Sequence, residues 1–333
     1  MSINSRVWII IVNYRTAALV VNCLRSLSSQ VDALSGGRVL VIDNASGDGS
    51  LAALADVIDC EGWREWAVVL PLDRNGGFAF GNNAGIRVAQ ASPIGCDYLY
   101  LLNPDTLIRP KAINALINFM GIHPEVGIAG SHIENSEGGE ECSAHKFHNP
   151  LGELAEGARL GLLDRLLENH LVTPPIRNDA HLCDWVSGAS MMVRHEVFKD
   201  IGFLDEGYFL YYEEEDFCRR AVLAGWDIYY VPDSKIMHIE GAATGIQQAA
   251  KRRPAYWYNS RRRYFTKNYG VAGLVLTDLL WTLGRVSYLA RRVVGLGAQS
   301  ETRDPKWFML DILWGDLRAI LNGQAWRIKK DMS

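Results

Sequence analysis

Short apolar runs alternate with helical patterns through the first third of the chain. Four runs predict buried strands, at Val7–Val12, Val39–Ile42, Ala67–Leu70 and Tyr98–Leu102. The amphipathic patterns that follow them predict helices at about Ala17–Leu27, from Ser50 onward, at Phe80–Ala89 and at Lys111–Met120. Strands that are apolar throughout are typical of a sheet buried on both faces. The alternation therefore predicts an α/β fold, with a mostly parallel central sheet and helices on both of its faces.

Strand character returns later in the chain, at Ala189–Arg194 and Trp226–Val231. After Lys251 the sequence becomes helical, basic and rich in aromatic residues. We therefore expect one α/β domain over residues 1–250, in two halves that cover about residues 1–110 and 111–250. A helical C-terminal extension is expected over residues 251–333.

The composition excludes several classes of protein. The chain has 333 residues, a formal net charge of −4 and a pI near 6.1, so it has no general basic field and we expect no nucleic-acid partner. Its six cysteines form no CxxC pair, which argues against a zinc knuckle. No apolar run reaches the roughly 18 residues of a spanning helix. We expect the protein to be cytoplasmic and not to cross a membrane.

Polar residues follow the end of each predicted strand. Ligands of open α/β sheets bind at the carboxyl ends of the strands, so these residues describe a rim around a nucleotide-sized crevice. Asp43 can contact a base or ribose. The Gly/Asn loop after the third strand, over residues 75–85, can offer backbone amides to phosphate or ribose oxygens. A capped turn and a flexible connection are the competing interpretations. The candidate nucleotide-binding residues are Asn13, Tyr14, Asp43, Asn75, Gly76, Asn82 and Asn103.

Carboxylates supply two further candidates. Asp105 follows Pro104 at the end of the fourth strand and can bind a hard cation that bridges two phosphates, although an Asp before a helix is also a common cap. Glu213 and Glu214 open a run of four acids that exceeds what capping of a helix dipole requires. We take these two glutamates as candidate bases, with helix capping as the alternative.

The order of the motifs resembles that of the family 2 glycosyltransferases, particularly the rhamnosyltransferase-like branch. The resemblance covers roughly residues 6–270. It rests on the segments VNY, DNASGDGS, NGGFAFGNNAGI, LLNPD, WVSGASMMVR, FLYYEEEDFCRRAVLAGW and YVPDSKIMH, in that order.

This resemblance implies a GT-A fold, with a Rossmann-like nucleotide half and an acceptor half. Asp43 would contact the nucleobase, and Asn103-Pro104-Asp105 would replace the usual DxD, so that Asp105 holds Mg²⁺ or Mn²⁺ on the donor diphosphate. His238 stands where relatives contact the metal or the diphosphate. Glu214 stands where the family has its catalytic Asp, and this departure leaves Glu213 as the alternative base.

The acceptor side offers less distinctive residues. Asp184 and Trp185 would line the acceptor pocket, since a tryptophan face suits a sugar ring, and core packing is the alternative. The activity implied is inverting transfer of rhamnose from dTDP-rhamnose to a lipid-linked or polysaccharide acceptor. A UDP-galactofuranose or other UDP-hexose transferase is the runner-up, followed by a sugar nucleotidyltransferase and an inactive scaffold of polysaccharide assembly.

The C-terminal region carries basic residues interleaved with aromatic ones. This composition suits an anionic membrane surface at the cytoplasmic face, so we expect peripheral membrane binding. The alternative is a helical appendage that packs on the catalytic domain. The residues concerned are Lys251, Arg252, Arg253, Arg261, Arg262, Arg263 and Lys267, with Tyr256, Trp257, Tyr258, Tyr264 and Phe265, followed by the apolar run Leu274–Leu283 with Trp281, and by Arg285, Arg291 and Arg292.

Overall fold

The computed structural model of the chain describes residues 5–239, 251–295 and 304–330. The strands are β1 Val7–Asn13, β2 Val39–Asp43, β3 Ala67–Pro71, β4 Tyr98–Leu102, β5 Thr106–Ile108, β6 Val126–Glu134, β7 Glu140–Glu141, β8 Ala144–His145, β9 His181–Leu182, β10 Trp185–Val186, β11 Ser190–Arg194 and β12 Asp227–His238. The helices are α1 Ala17–Ser28, α2 Ser50–Cys60, α3 Gly77–Gln90, α4 Ala112–Ile122, α5 Pro150–Ala158, α6 Gly161–Leu166, α7 His195–Ile201, α8 Glu213–Leu223, α9 Ala255–Val293, α10 Phe308–Leu321 and α11 Gln324–Lys330.

One sheet holds most of these strands, in the spatial order β3-β2-β1-β4-β11-β6-β12-β5. Its first four strands are parallel. β11 then runs antiparallel to both β4 and β6, whereas β6 and β12 are parallel to each other. β5 lies antiparallel beside β12, and β8 pairs with β10 apart from this sheet. The predicted α/β fold is confirmed, and the parallel part of the sheet carries the polar strand ends.

Helices cover both faces of the parallel strands. On one face, α1, α2 and α4 pack in a continuous apolar core with residues such as Ile9 and Val39. On the other face α3 packs closely against β1, because position 81 is a glycine. A Cβ on Gly81 would lie only 2.8 Å from the side chain of Val12. Burial from both sides is the reason that β1, β2 and β4 are apolar along almost their whole length.

The chain divides into two compact units. The first contains the described parts of residues 1–145, 175–209 and 213–245, and it includes the whole sheet. The second contains the described parts of residues 146–174, 210–212 and 246–333. The predicted boundary at residue 250 lies outside the described residues, and the division of the α/β domain near residue 110 stays a prediction.

The second unit is helical, as expected for the C-terminal region. Within it α5 crosses α9 at close range: a Cβ on Gly157 would lie 2.4 Å from the carbonyl oxygen of Trp281, and one on Gly284 would lie 2.5 Å from that of Leu154. α9 is interrupted at Gly270, whose φ is +73°. Within the described ranges, no helix combines the length and the apolar character that a membrane span needs.

Candidate active site

The ends of β1 and β2 are joined by a buried polar network. The Asn13 side chain donates to Asp43 Oδ1 at 2.7 Å and accepts from the backbone N–H and the hydroxyl of Thr16. Ser46 donates its hydroxyl to Asp43 Oδ1 at 2.6 Å and its backbone N–H to Asp43 Oδ2 at 3.2 Å. Hydrogen bonds from Asn13 and Ser46 therefore hold the Asp43 carboxylate in one orientation. Tyr14, by contrast, is 39% exposed.

Asn44 connects the end of β2 to the Gly/Asn loop after β3. Its side-chain amide donates to Asn75 Oδ1 and to the carbonyl oxygen of Gly77, both at 3.0 Å. Asn75 Oδ1 also accepts the backbone N–H of Gly77 at 3.0 Å, and Asn44 Oδ1 accepts that of Gly76 at 3.4 Å. Asn44 is one of the polar strand-end residues predicted at the rim of the crevice, although it is not among the candidate nucleotide-binding residues.

The loop is also shorter than predicted, because α3 begins at Gly77 and not at Phe80. Asn82 consequently lies inside α3, buried, with its amide donating to the carbonyl oxygen of Phe78 at 3.0 Å. The backbone N–H of Phe78 donates to the carbonyl oxygen of Phe209 at 2.8 Å. This bond fixes the start of α3 to the segment that leads into α8, a contact between distant parts of the chain for which the sequence has no signal.

Asp105 and His238 lie close together just after the carboxyl end of β4. The sequence predicts a turn at Pro232-Asp233-Ser234, but β12 continues through it with a register shift and pairs His238 with Thr106. His238 Nε2 therefore lies 3.3 Å from Asp105 Oδ1 and 3.4 Å from the side-chain amide of Asn103. The structure therefore brings Asn103, a predicted nucleotide contact, together with Asp105 and His238, the predicted metal residues.

The chemistry of this group fits a divalent cation. Asp105 is 3% exposed, and its Oδ1 accepts no hydrogen bond from the residues that the structure describes. A carboxylate oxygen, an imidazole nitrogen and an amide suit Mn²⁺, and Mg²⁺ typically takes one or two carboxylates and completes its shell with phosphate and water. Within the described residues, no cluster of three or more His, Cys, Asp or Glu could hold a metal, so the substrate and water would have to complete the coordination.

One buried thiol, that of Cys23, lies close to this group. Cys23 Sγ lies 3.6 Å from Thr106 Oγ1, under the Asn103–Asp105 turn. Burial raises the pKa of the Cys23 thiol to about 12, with a smaller contribution in the same direction from the Asp105 carboxylate. A thiol that stays protonated at neutral pH is a poor nucleophile.

The four acids begin α8, and their side chains have different surroundings. Glu213, Glu215 and Asp216 are buried. Asp216 accepts from Tyr208 at 3.2 Å and from Arg220 at 3.0 Å, which assigns it to packing. A Cβ on Gly188 would lie 3.7 Å from the carboxyl carbon of Glu214 and 3.6 Å from the ring of Phe78.

Backbone strain is concentrated just before the first glutamate. Tyr211 and Tyr212 have φ values of 72° and 71°. Two consecutive bulky residues in the left-handed region are genuine outliers, which cost free energy and persist only where the surroundings enforce them. Such strain is typical of functional segments, and it directs the chain into the start of α8.

The motifs are connected through Ser187–Ala189. The backbone N–H of Asn103 donates to the carbonyl oxygen of Ala189 at 3.1 Å, next to Gly188 and its neighbour Glu214. Asp184 and Trp185 lie directly before this segment, and the ring of Trp185 stacks on His145 with centroids 4.3 Å apart. One chain of contacts thus runs from the β1 and β2 ends through the Gly/Asn loop to Glu214 and the Asn103–His238 group.

Comparison with known proteins gives one family. Residues 8–202 match the sequence model of glycosyl transferase family 2. An N-acetylglucosaminyl-diphospho-decaprenol L-rhamnosyltransferase of Mycobacterium tuberculosis is 26% identical over 225 residues, covering 64% of this chain and 69% of that protein. The dTDP-rhamnosyl transferase RfbF of Shigella flexneri is 25% identical over 240 residues, covering 72% of this chain and 70% of that protein.

A solved structure shows the same fold. The mannosyltransferase PcManGT of Pyrobaculum calidifontis, in complex with GDP-Man and Mn²⁺, has a TM-score of 0.52 at 14% identity and covers 98% of this chain and 83% of that one. At this level of identity the likeness concerns the fold alone. The predicted GT-A architecture, with its helical C-terminal region, is confirmed.

Proposed function

The chain belongs to glycosyl transferase family 2, and on this premise we propose that it moves rhamnose from dTDP-rhamnose to a lipid-linked or polysaccharide acceptor with inversion at the anomeric carbon. Glycosyl transfer itself follows from the family. The observation that carries the proposed mechanism is the position of the Glu214 carboxyl group beside Gly188, at a point that the ring of Phe78 also approaches.

The donor is proposed from the relatives. One of them is named for transfer of L-rhamnose and the other for a dTDP-rhamnosyl donor, which supports rhamnose over other hexoses. UDP-galactofuranose or another UDP-hexose is the alternative donor. The acceptor of the mycobacterial relative is a diphospho-decaprenol, which supports a lipid-linked acceptor for this chain.

Asp43 is proposed to contact the nucleobase. Its two oxygens accept three hydrogen bonds, from Asn13 and Ser46, and a carboxylate has about four acceptor positions. One position therefore remains for the base, and Asn13 acts by orienting Asp43. Asn75, Gly76 and Asn82, with the more exposed Tyr14, complete the proposed nucleotide site.

Asp105 and His238 are proposed to hold Mn²⁺ or Mg²⁺, with Asn103 on the ribose or a bound water. The buried Asp105 oxygen that accepts no hydrogen bond among the described residues supports this assignment. The mannosyltransferase that shares the fold was solved with Mn²⁺. When bound, the cation would neutralise the charge that develops on the leaving diphosphate.

Glu214 is proposed as the general base. It accepts the proton of an acceptor hydroxyl while that oxygen attacks the anomeric carbon from the face opposite the diphosphate. The bond from the anomeric carbon to the diphosphate oxygen breaks as the new glycosidic bond forms, which inverts the configuration. Asp184 and Trp185 are proposed to contact the acceptor, with the Trp185 ring held in place by His145.

Glutamine scanning of the acids tests the base. Glu214→Gln keeps size and most hydrogen bonding but cannot accept the proton, so turnover should fall by at least about two orders of magnitude while donor binding is retained. Glu215→Gln is the matched control and should stay within a few-fold of wild type.

Glu213→Gln tests a shift of the role by one position. If Glu213→Gln loses turnover while Glu214→Gln stays active, the base is Glu213. If both variants stay active, the acidic cluster only caps the helix. A wild-type protein that turns over no nucleotide sugar with any acceptor would favour the inactive scaffold.

The proposed acceptor would bring the protein to a membrane. We include peripheral binding to an anionic membrane surface in the proposed function, at the cytoplasmic face.

A further inference from the structure

Several of the basic and aromatic residues that suggest membrane binding from the sequence are buried. Arg261 is 2% exposed and donates to Asp278 at 2.8 Å and to Glu153 at 2.9 Å. Arg262 pairs with Asp316 at 2.6 Å. Tyr258, Tyr264 and Phe265 are also buried. These five side chains stabilise the second unit internally, so they are not available to a membrane.

The C-terminal half of α9 turns an apolar face to solvent instead. Leu276, Leu279, Leu283 and Val286 are each at least half exposed, and they recur at helical spacing on one side of the helix. The charged residues between positions 274 and 290, Asp278 and Arg285, are both buried on the other side. A helix that faces water normally has the opposite arrangement, with its charges outside.

α10 repeats this arrangement with tryptophan. Trp307, immediately before the helix, and Leu310, Trp314, Leu317 and Leu321 form a stripe at spacings of three and four residues. All five are exposed, Trp307 at 64% and Trp314 at 56%. Trp307, Leu310 and Trp314 line a shallow groove of about 370 Å³ together with Arg252 and Asp311.

The charges left exposed beside these stripes are basic. Between residues 304 and 328 the exposed ionisable side chains are Lys306, Arg318 and Arg327. The acids in the same stretch are paired, Asp304 with Arg159 and Arg285, Asp311 with Arg252, and Asp316 with Arg262. The surface thus combines leucine, tryptophan and unneutralised cations.

We propose that the exposed faces of α9 and α10, defined by Leu276, Leu279, Leu283 and Val286 and by Trp307, Leu310, Trp314, Leu317 and Leu321, bind an anionic lipid bilayer. Tryptophan is favoured at the membrane interface because its ring is apolar and its N–H remains hydrated. Arg318 and Lys306 attract anionic headgroups, while the leucines enter the acyl boundary. The inference extends the membrane part of the proposed function and is independent of the donor and the base.

A bilayer fits these faces better than a second copy of the chain does. A symmetric dimer would place the same basic residues of both copies near one another with no exposed acid from this stretch to neutralise them. An anionic bilayer supplies the opposite charge along the whole surface.

Flotation with phosphatidylcholine vesicles, with and without phosphatidylserine, tests the proposal on the full chain. The wild type should float with the anionic vesicles at low salt and less with neutral ones. Leu279→Glu/Leu283→Glu and Leu310→Glu/Trp314→Glu should each lower the bound fraction at least about tenfold, because two large apolar groups are lost from the contact. Ile122→Glu/Leu223→Glu adds the same charge at two apolar positions of the first unit that are more exposed still, and it should float like wild type.

Tryptophan quenching by brominated lipids gives a second measurement that does not depend on charged substitutions. The wild type should be quenched by brominated vesicles, and Trp307→Phe/Trp314→Phe should still float but lose most of that quenching. Absence of wild-type binding, or normal binding by both glutamate pairs, overturns the proposal. A stable lipid-free dimer that the stripe variants dissociate would assign the faces to a second copy. Sugar transfer to a water-soluble acceptor is measured in parallel, so that failure of the activity and failure of membrane binding are distinguished.

Discussion

Gly77 occupies a position that no other residue can fill without moving the backbone. Its φ is +89°, and an added Cβ would lie 2.0 Å from the carbonyl oxygen of Phe209. A left-handed conformation costs an L-residue about 1–2 kcal/mol, and forced displacement of packed atoms costs about 1–3 kcal/mol more. Weakening the hydrogen bond from the Phe78 N–H to Phe209 adds about 1 kcal/mol. Gly77→Ala should therefore lower the free energy of unfolding by roughly 3–6 kcal/mol.

Gly49→Ala is the matched control for this prediction. Gly49 has a φ of +90° and also stands at the start of a helix, but an added Cβ would meet no atom within 4 Å. It should show only the conformational cost of about 1–2 kcal/mol. Urea unfolding of both variants measures the difference, which isolates the contact with Phe209.

Turnover measurements show whether the effect of Gly77→Ala stays local or reaches Glu214. Because Phe209 leads into α8, displacement of its carbonyl should also move Glu214, and a shift of about 1 Å can cost about a hundredfold in rate. Gly77→Ala should lose turnover to that extent, whereas Gly49→Ala should retain most of it. Equal stability and equal turnover in the two variants would refute the claim that Gly77 connects the Gly/Asn loop to the glutamates.

Three other predictions follow from the same structure. EDTA should abolish transfer, and Asp105→Asn should lose at least about two orders of magnitude in turnover with an unchanged melting temperature; full activity in EDTA contradicts the metal role. With Mn²⁺, dTDP-rhamnose should raise the melting temperature more than UDP-galactofuranose, UDP-glucose or GDP-mannose, and a larger shift with a UDP-sugar would correct the donor. Arg261→Met leaves buried carboxylates without their cation and should destabilise the protein by about 3–5 kcal/mol in urea unfolding. Arg292→Met, at an exposed position, should change it by less than about 0.5 kcal/mol.

The parallel half of the fold was predictable because its physics is local. A strand covered by helices on both faces must be apolar along its length, as β1, β2 and β4 are. A polar residue at the end of such a strand then has a definite place, at the edge where ligands bind. Asp43, Asn103 and Asp105 could therefore be predicted at that edge without any knowledge of their partners.

The partners depend on contacts between distant parts of the chain. The position of His238 beside Asp105 requires β12 to continue through Pro232-Asp233-Ser234, which local turn chemistry argues against. Pairing with β5 and β6 overrides that local preference. The contact of Gly188 with Glu214 likewise joins segments that only the fold brings together.

The C-terminal region shows why the sequence did not tell which face of α9 is exposed. Asp278 and Arg285 are seven residues apart, so they share one face of α9, and the leucines occupy the other. This pattern is compatible with a helix that exposes its charged face and equally with one that buries it. In the structure the charged face is buried. An inverted helix of this kind is stable only if its buried charges are paired and its apolar face is covered. Arg261 and Asp304 pair the charges of Asp278 and Arg285, and a bilayer would cover the apolar face.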